Sequence, residues 1–155
     1  MELVDILSEE SVLFCTGTKS KTTLLERLAA HAAKVAGQDA KAVLEALVER
    51  EALGSTGLGN GIAVPHGKFP GLKRVTAVFA RLDEPVEFDA VDDMPVDLVM
   101  MLLAPLGAGA EHLKALSRVA RLLRTEALVD DLRRTTDPKE LYRMLTAPVA
   151  AHYAA

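Results

Sequence analysis

The sequence predicts a single α/β domain in which a mixed β-sheet is flanked by α-helices. Three observations support this fold class: two helical patterns open the chain, short apolar runs typical of buried strands occupy its middle, and helical patterns return towards the C-terminus. No internal repeat is present, and 155 residues fit one domain of ordinary size. We therefore predict one domain over residues 1–146 and a short tail over residues 147–155.

The composition excludes several classes of function. The net charge is −4 and only 4% of the residues are aromatic, so the chain lacks the basic surface and the stacking groups of a nucleic-acid-binding protein. The single cysteine, Cys15, excludes an internal disulfide and is predicted to be a small buried hydrophobe. The acidic N-terminus is unlike a secretory signal, and the longest apolar run, residues 98–104, is too short to cross a bilayer. We expect a soluble cytoplasmic protein without nucleic-acid partners or membrane insertion.

The first third of the chain contains two predicted helices. Residues 1–18 suggest a short helical turn followed by a strand. The first helix begins after Ser20 and is closed by Gly37, and its buried stripe consists of Leu24, Leu25, Leu28, Ala32 and Val35. The second helix begins at Asp39, is stopped by Gly54, and turns inward Val43, Leu44 and Leu47.

The central third contains the predicted strands. Residues 62–64 form a short strand that Pro65 ends or places at an edge, because proline cannot donate to a sheet. Residues 75–82 and 96–104 are apolar on both faces, which is typical of interior strands covered by helices. The segment between them, residues 83–93, carries six carboxylates and no basic residue. It is either a solvated loop or a docking surface for a basic partner.

Two more helices are predicted in the last third. The glycines around Ala108 open the first of them, and its buried stripe consists of Leu113, Leu116, Val119, Ala120 and Leu123. Five arginines between residues 118 and 134 are assigned to a solvated helix surface. The last helix has Asp137 as its cap, Pro138 at its first position and Glu140 completing a capping box.

A glycine-rich segment, GSTGLGNGIAVPHGK from Gly54 to Lys68, suggests a loop that holds an anion and presents His66 at the following strand end. Glycine lets the backbone approach a ligand, and hydroxyl and amide groups add hydrogen bonds. The predicted phosphate-loop residues are Ser55, Thr56, Gly57, Gly59, Asn60 and Gly61. A tight connection followed by a solvated histidine would give the same pattern. A strand rather than a helix follows the glycines, so the segment is neither a dinucleotide motif nor a P-loop.

Two other side chains are candidates for the same site. Arg50 lies in the last turn of the second helix without a carboxylate three or four positions away, so its guanidinium is free to reach a phosphate. The helix dipole alone would also explain an arginine there. His112 lies in the first turn of the helix that follows the strands, where free N–H groups favour phosphate and a neutral imidazole. The simpler explanation is a polar residue near a helix start.

Three segments, GSTGLGNGIAVPHGK, FDAVDDMPVDLVMMLLAP and AEHLKALSRVARLLR, resemble the enzyme IIA family of the bacterial phosphotransferase system, mannitol/fructose type, and most of all its nitrogen-regulatory branch. The similarity extends over nearly the whole chain. The resemblance implies a histidine that accepts a phosphoryl group from the phosphohistidine of an HPr-like carrier. His66 occupies that position, Arg50 matches the arginine that steadies the phosphoryl group, and His112 matches the second active-site histidine. The implied scheme requires neither a metal nor a cofactor.

Three functions remain open at this point. The first is a regulatory phosphocarrier, for which the resemblance suggests sensor kinases or potassium transporters as targets. The second is a sugar-specific IIA component that passes the phosphoryl group to a IIB domain. The third is a metal hydrolase that uses His66 and His112 with Glu111 or Asp92 as a further ligand. Neither histidine lies in a recognisable metal-ligand motif.

Overall fold

A computed structural model describes residues 1–147. Within them, two short 3-10 turns, a six-stranded mixed sheet and five α-helices form one domain, so the predicted fold class is confirmed. The predicted tail lies, from residue 148 onward, outside the described residues. The domain boundary at residue 146 stays a prediction.

The strands are β1 (Val12–Cys15), β2 (Gly57–Gly59), β3 (Ile62–Ala63), β4 (His66–Lys68), β5 (Thr76–Val86) and β6 (Val96–Ala104). The helices are α1 (Lys21–Ala36), α2 (Ala40–Ala52), α3 (Gly109–Leu122), α4 (Glu126–Arg133) and α5 (Pro138–Thr146). None of these five helices is both long and apolar enough to span a lipid bilayer.

The sheet has the order β1-β5-β6-β3-β2, and β4 pairs with β6 on the same side as β3. β5 and β6 are antiparallel neighbours, whereas β3 and β4 both run parallel to β6. β5 and β6 are therefore interior strands, as predicted. β5 extends past its predicted end at Leu82 to Val86. Val86 pairs with Val96 of β6, so the charged residues between Leu82 and Val86 remain in the strand.

Two apolar cores cover the two faces of the sheet. Alternate residues of β6 point to opposite sides, so Met100 and Leu102 face one core while Met101 and Leu103 face the other. The first core is completed by α3, α4 and α5, and the second by α1 and α2. Cys15 is buried in the second core, as predicted.

The helix ends follow local capping chemistry. Ser20, Asp39 and Asp137 each accept a backbone N–H of the first helical turn, and Gly37 closes α1 with a φ of 66°. These positions were predicted. The predicted capping box is not formed, because Glu140 instead forms an ion pair with Arg143 at 2.6 Å, one turn further along α5.

Two predictions about α3 and the arginines that follow are wrong in part. Val119 and Leu123 of the predicted stripe are buried, but Leu113 is 67% exposed, and the buried face also contains His112, Ala115 and Leu122. The observed buried face differs from the predicted one because it includes a histidine, and a search for apolar residues alone does not place a histidine on the buried face. Arg133 is not a solvated surface arginine, because its guanidinium forms an ion pair with Asp97 at 2.9 Å.

Gly57, at the start of β2, packs closely against Ala90. A Cβ added at Gly57 would lie 2.7 Å from the Cβ and 2.9 Å from the Cα of Ala90, so the Gly57→Ala variant must displace backbone. We expect it to lower the free energy of unfolding by about 1–3 kcal/mol in urea denaturation. Gly109→Ala is the control, because its new Cβ meets no atom within 4 Å. Equal stability of the two variants would contradict this account of the contact.

Candidate active site

His66 begins β4 rather than ending the preceding strand. β3 pairs with Leu98 and Val99 of β6, and β4 resumes the parallel pairing with His66 opposite Leu102. β3 does end before Pro65, as predicted, but pairing with β6 resumes at once, so the prediction that His66 lies at the end of that strand is wrong. Proline lacks only an N–H, and its carbonyl accepts the backbone N–H of Leu102 at 2.9 Å, so the interruption is local. The backbone of His66 is thus held against an interior strand.

Hydrogen bonds assign the protonation of the His66 ring. Nδ1 lies 2.8 Å from the carbonyl oxygen of Val64, which can only accept. The Nε group of Arg50 lies 3.3 Å from Nε2 and can only donate. The neutral imidazole therefore carries its proton on Nδ1, and the lone pair of Nε2 points to the guanidinium.

Arg50 is held at the C-terminal end of α2. Its Nη1 donates to the carbonyl oxygen of Gly54 at 2.9 Å, which fixes the guanidinium beside the start of the glycine-rich segment. Of the ion pairs formed within residues 1–147, none includes Arg50. Its positive charge therefore remains available to an anion.

His112 completes the group from the other side. Its ring centroid lies 5.3 Å from that of His66, at an interplanar angle of 52°. The residue is only 7% exposed, and its buried Nδ1 has no hydrogen-bond partner among the described residues. A bare lone pair costs less to leave unpaired than an N–H group, so this arrangement favours a neutral ring with its proton on Nε2. His112 lies in the first turn of α3, whose N-cap, Ala108, provides no side-chain cap.

Burial lowers the pKa of both histidines. For His66 this effect is the largest, the bond to Val64 opposes it, and the charge of Arg50 lowers the pKa further. For His112 burial is again the largest cause, followed by the charges of His66 and Lys68. Lys68 is two residues along β4 from His66, so the alternation of a strand places both side chains on one face. Both imidazoles are neutral at neutral pH.

These shifts predict how the site titrates. We expect the apparent pKa values of His66 and His112 to lie below the ordinary value of 6.5 in an NMR titration. Because the folded state then binds protons less readily than the unfolded chain, stability is complete above about pH 6.5 and decreases as the pH falls further. The double variant with alanine at both positions should show a shallower decrease. An unchanged dependence in that variant would contradict the assignment.

The second half of the glycine-rich segment forms a hairpin. Asn60 and Gly61, with φ angles of 56° and 79°, make the two-residue turn between β2 and β3. Asp92 accepts the Asn60 N–H at 2.9 Å, and Arg133 donates to the Asn60 carbonyl oxygen. These contacts fix the tip of the hairpin at the sheet edge.

This tip is distant from His66. The carbonyl of Gly61 accepts the N–H groups of Asp97 and Leu98, whereas His66 lies opposite Leu102. Four residues of a strand span about 13 Å. The structure therefore does not bring Gly59, Asn60 and Gly61 to the histidine.

The first half of the glycine-rich segment is hydrogen-bonded to the residues that precede His66 and to the segment after β5. Ser55 Oγ donates to the carbonyl of Phe88 at 2.8 Å, and the Thr56 carbonyl accepts the N–H of Val64 at 3.0 Å. Thr56 also donates through its N–H and Oγ1 to the carboxylate of Glu51. The side chains of Ser55 and Thr56 are thus occupied by protein groups.

Sequence reasoning missed Glu51, Lys68 and Arg133. Glu51 is adjacent to Arg50 in the sequence, and Lys68 has the strand spacing from His66, so both had a local signal. Arg133 had none, because its partner Asp97 is distant in the chain.

The residues considered for a metal site do not converge. Asp92 caps the hairpin tip, and Glu111 forms an ion pair with Lys114 at 3.4 Å. Within residues 1–147, no group of three or more histidine, cysteine, aspartate or glutamate side chains is arranged to hold a metal ion.

Comparison with known proteins gives a consistent result. A "Nitrogen regulatory protein" of Bradyrhizobium diazoefficiens is 47% identical over 150 residues, which cover 97% of this chain and 98% of that protein. The crystal structure of nitrogen regulatory protein IIA-Ntr from Neisseria meningitidis has a TM-score of 0.86 at 37% identity, over 93% of this chain and 99% of that one. The crystal structure of IIA mannitol from Escherichia coli has a TM-score of 0.75 at 25% identity, over 89% and 97% of the two chains.

The family model described as "Phosphoenolpyruvate-dependent sugar phosphotransferase system, EIIA 2" matches residues 5–147. The relatives and the fold support a regulatory role within this system, and the family supports phosphotransfer in general. The chain therefore belongs to the EIIA type 2 family of the phosphotransferase system.

Proposed function

We propose that the protein is a regulatory phosphocarrier of the nitrogen-related phosphotransferase system, and that it accepts a phosphoryl group on Nε2 of His66 from an HPr-like phosphohistidine carrier. The observation that carries the proposal is the unprotonated Nε2 of His66, which accepts a hydrogen bond from the Nε group of Arg50 at 3.3 Å. The proposal includes a cytoplasmic location, where such a carrier would meet the protein.

The transfer conserves charge and protons. The lone pair of His66 Nε2 forms a bond to phosphorus, and the phosphorus–nitrogen bond of the donor imidazole breaks with its electron pair on the donor nitrogen. Each ring keeps the proton on its other nitrogen. In His66 that proton stays on Nδ1, where the Val64 carbonyl stabilises it as the ring becomes more positive.

Three groups support the phosphoryl oxygens in this proposal. Arg50 donates from the α2 side, and His112 donates through Nε2–H from the α3 side. Lys68, exposed on β4, adds a second positive charge, beside that of Arg50, on the approach to the site. Phosphoryl transfer requires mainly alignment and charge stabilisation, which these side chains supply without further covalent chemistry.

The test is incubation of the protein with a purified, phosphorylated HPr-type carrier, followed by intact-mass measurement. We expect one phosphoryl group, stable in base and lost in acid. A wild-type protein that gains none from any carrier offered would contradict the proposal and favour a binding module that is independent of phosphorylation.

A sugar-specific role is the second candidate function, because the family description names sugar phosphotransfer and one structural neighbour is a mannitol IIA protein. In that role the phosphoryl group passes on to a IIB domain. We expect the phosphorylated protein to lose its group in cell extract at a rate that fructose or mannitol does not change. If either sugar accelerated this loss several-fold, the sugar-specific role would be favoured over the regulatory one. Targets such as sensor kinases or potassium transporters belong to the regulatory proposal.

A further inference from the structure

A buried carboxylate lies directly behind the proposed acceptor site. The side chain of Glu51 is only 6% exposed and forms an ion pair at 2.9 Å with Lys21, whose side chain is 21% exposed. It also accepts the N–H of Thr56 at 3.2 Å and the Thr56 hydroxyl. A charge buried to this extent is stable only when it is paired and hydrogen-bonded, and Glu51 is both.

Hydrogen bonds connect Glu51 to the ring of His66. Glu51 fixes the position of Thr56, and the Thr56 carbonyl accepts the N–H of Val64 at 3.0 Å. The Val64 carbonyl in turn accepts the Nδ1–H of His66 at 2.8 Å. The position of the carbonyl that holds the histidine proton therefore depends on Thr56 and on the carboxylate behind it.

Lys21 anchors this connection to a third part of the fold. Its ammonium lies 3.3 Å from the carbonyl oxygen of Phe88 and 4.4 Å from the centroid of the Phe88 ring. Ser55 donates to the same carbonyl. The start of α1, the end of α2 and the segment after β5 therefore meet at Glu51, so its carboxylate has little freedom to move.

We propose that Lys21, Glu51 and Thr56 form a positioning network that keeps the proton of His66 on Nδ1 and so leaves Nε2, beside Arg50, unprotonated and able to attack the incoming phosphoryl group. The inference rests on the proposed function, in which Nε2 is the acceptor atom. An unconstrained histidine in water carries its proton mainly on Nε2, and in that form Nε2 has no lone pair for attack. Preference for the other tautomer must come from the protein, and here it comes through Val64.

The test combines two readouts on the full-length protein. The tautomer of neutral His66 is read from its ring ¹⁵N chemical shifts, and the rate constant for phosphorylation is measured in a single turnover with a phosphorylated HPr-type carrier. Thr56→Val keeps the shape of the side chain but removes the hydroxyl donor, whereas Thr56→Ser keeps the donor. Glu51→Gln removes the charge, and Glu49→Gln is its control, because Glu49 is exposed on the same helix.

We expect Thr56→Val and Glu51→Gln to shift His66 towards the Nε2–H tautomer and to lower the rate constant about tenfold at saturating donor. Thr56→Ser and Glu49→Gln should remain near wild type in both readouts. A His66 tautomer and a rate constant that are unchanged in both Thr56→Val and Glu51→Gln, in folded proteins, would overturn the inference.

The outcomes separate this inference from the proposed function. If His66→Ala cannot be phosphorylated while Thr56→Val behaves as wild type, the network has no positioning role but the acceptor assignment stands. If His66→Ala is still phosphorylated, the acceptor assignment fails, and the inference fails with it whatever the tautomer. A slower rate with an unchanged tautomer and a lower melting temperature would show that the network acts only on stability.

Discussion

The His66→Ala variant acquires no phosphoryl group from a phosphorylated HPr-type carrier under conditions in which the wild-type protein is fully modified. This is the expected result because Nε2 of His66 is the nitrogen that has a lone pair directed at Arg50 and lies on a strand held by β6. Intact-mass measurement over time gives the answer directly. The loss should be complete, since no part of the reaction remains without the nucleophile.

Two matched variants make this result specific. His31→Ala removes a half-buried histidine from α1 and should be phosphorylated as the wild type is. His112→Ala removes the ring 5.3 Å from His66 and should be phosphorylated more slowly but to completion. Full modification of His66→Ala would place the acceptor elsewhere. If His112→Ala were unmodified in the same experiment, the acceptor would be His112.

The second large effect is expected at Arg50. Replacement by methionine keeps much of the side-chain volume but removes the donor at 3.3 Å from Nε2, and should lower the rate constant for phosphorylation about 100-fold. Arg50→Lys keeps the charge without the planar fork and should recover only part of the rate. The measurement is single-turnover transfer at several donor concentrations, which separates donor binding from the transfer step.

The control for charge is Arg124→Met, which removes an exposed arginine near the end of α3. It changes the net charge by the same amount as Arg50→Met, so a general effect on encounter with the carrier would appear in both. A wild-type rate in Arg50→Met would mean that the guanidinium contributes only to the structure of the α2 end.

Most of the fold followed from local signals. The caps at Ser20, Asp39 and Asp137 determine where three helices begin, because a side-chain oxygen there satisfies a backbone N–H that the helix cannot. The continuous apolar run of β6 correctly indicated an interior strand covered on both faces. These features depend on neighbours in the sequence and are therefore visible in it.

The function of the glycine-rich segment was harder to predict, because glycine serves two purposes. The pair Asn60-Gly61 is also a strong hairpin signal, and in the structure these two residues, with positive φ angles, form the turn between β2 and β3. Which purpose applies depends on the register of β3 against β6. The Gly61 carbonyl accepts the N–H groups of Asp97 and Leu98, and this register places the turn far from His66. Likewise, the buried face of α3 depends on the burial of His112, which only tertiary packing determines.

In the proposed function, the placement of His66 on a paired strand limits how phosphorylation of this residue acts on other proteins. β4 is hydrogen-bonded to β6, whose residues from Leu98 to Ala104 are fully buried, so the backbone at the proposed acceptor has little room to rearrange. The two forms of the protein would then have nearly the same shape and differ in electrostatic potential over a small area. A partner could tell them apart only through groups that contact this area, and rising ionic strength would weaken the discrimination.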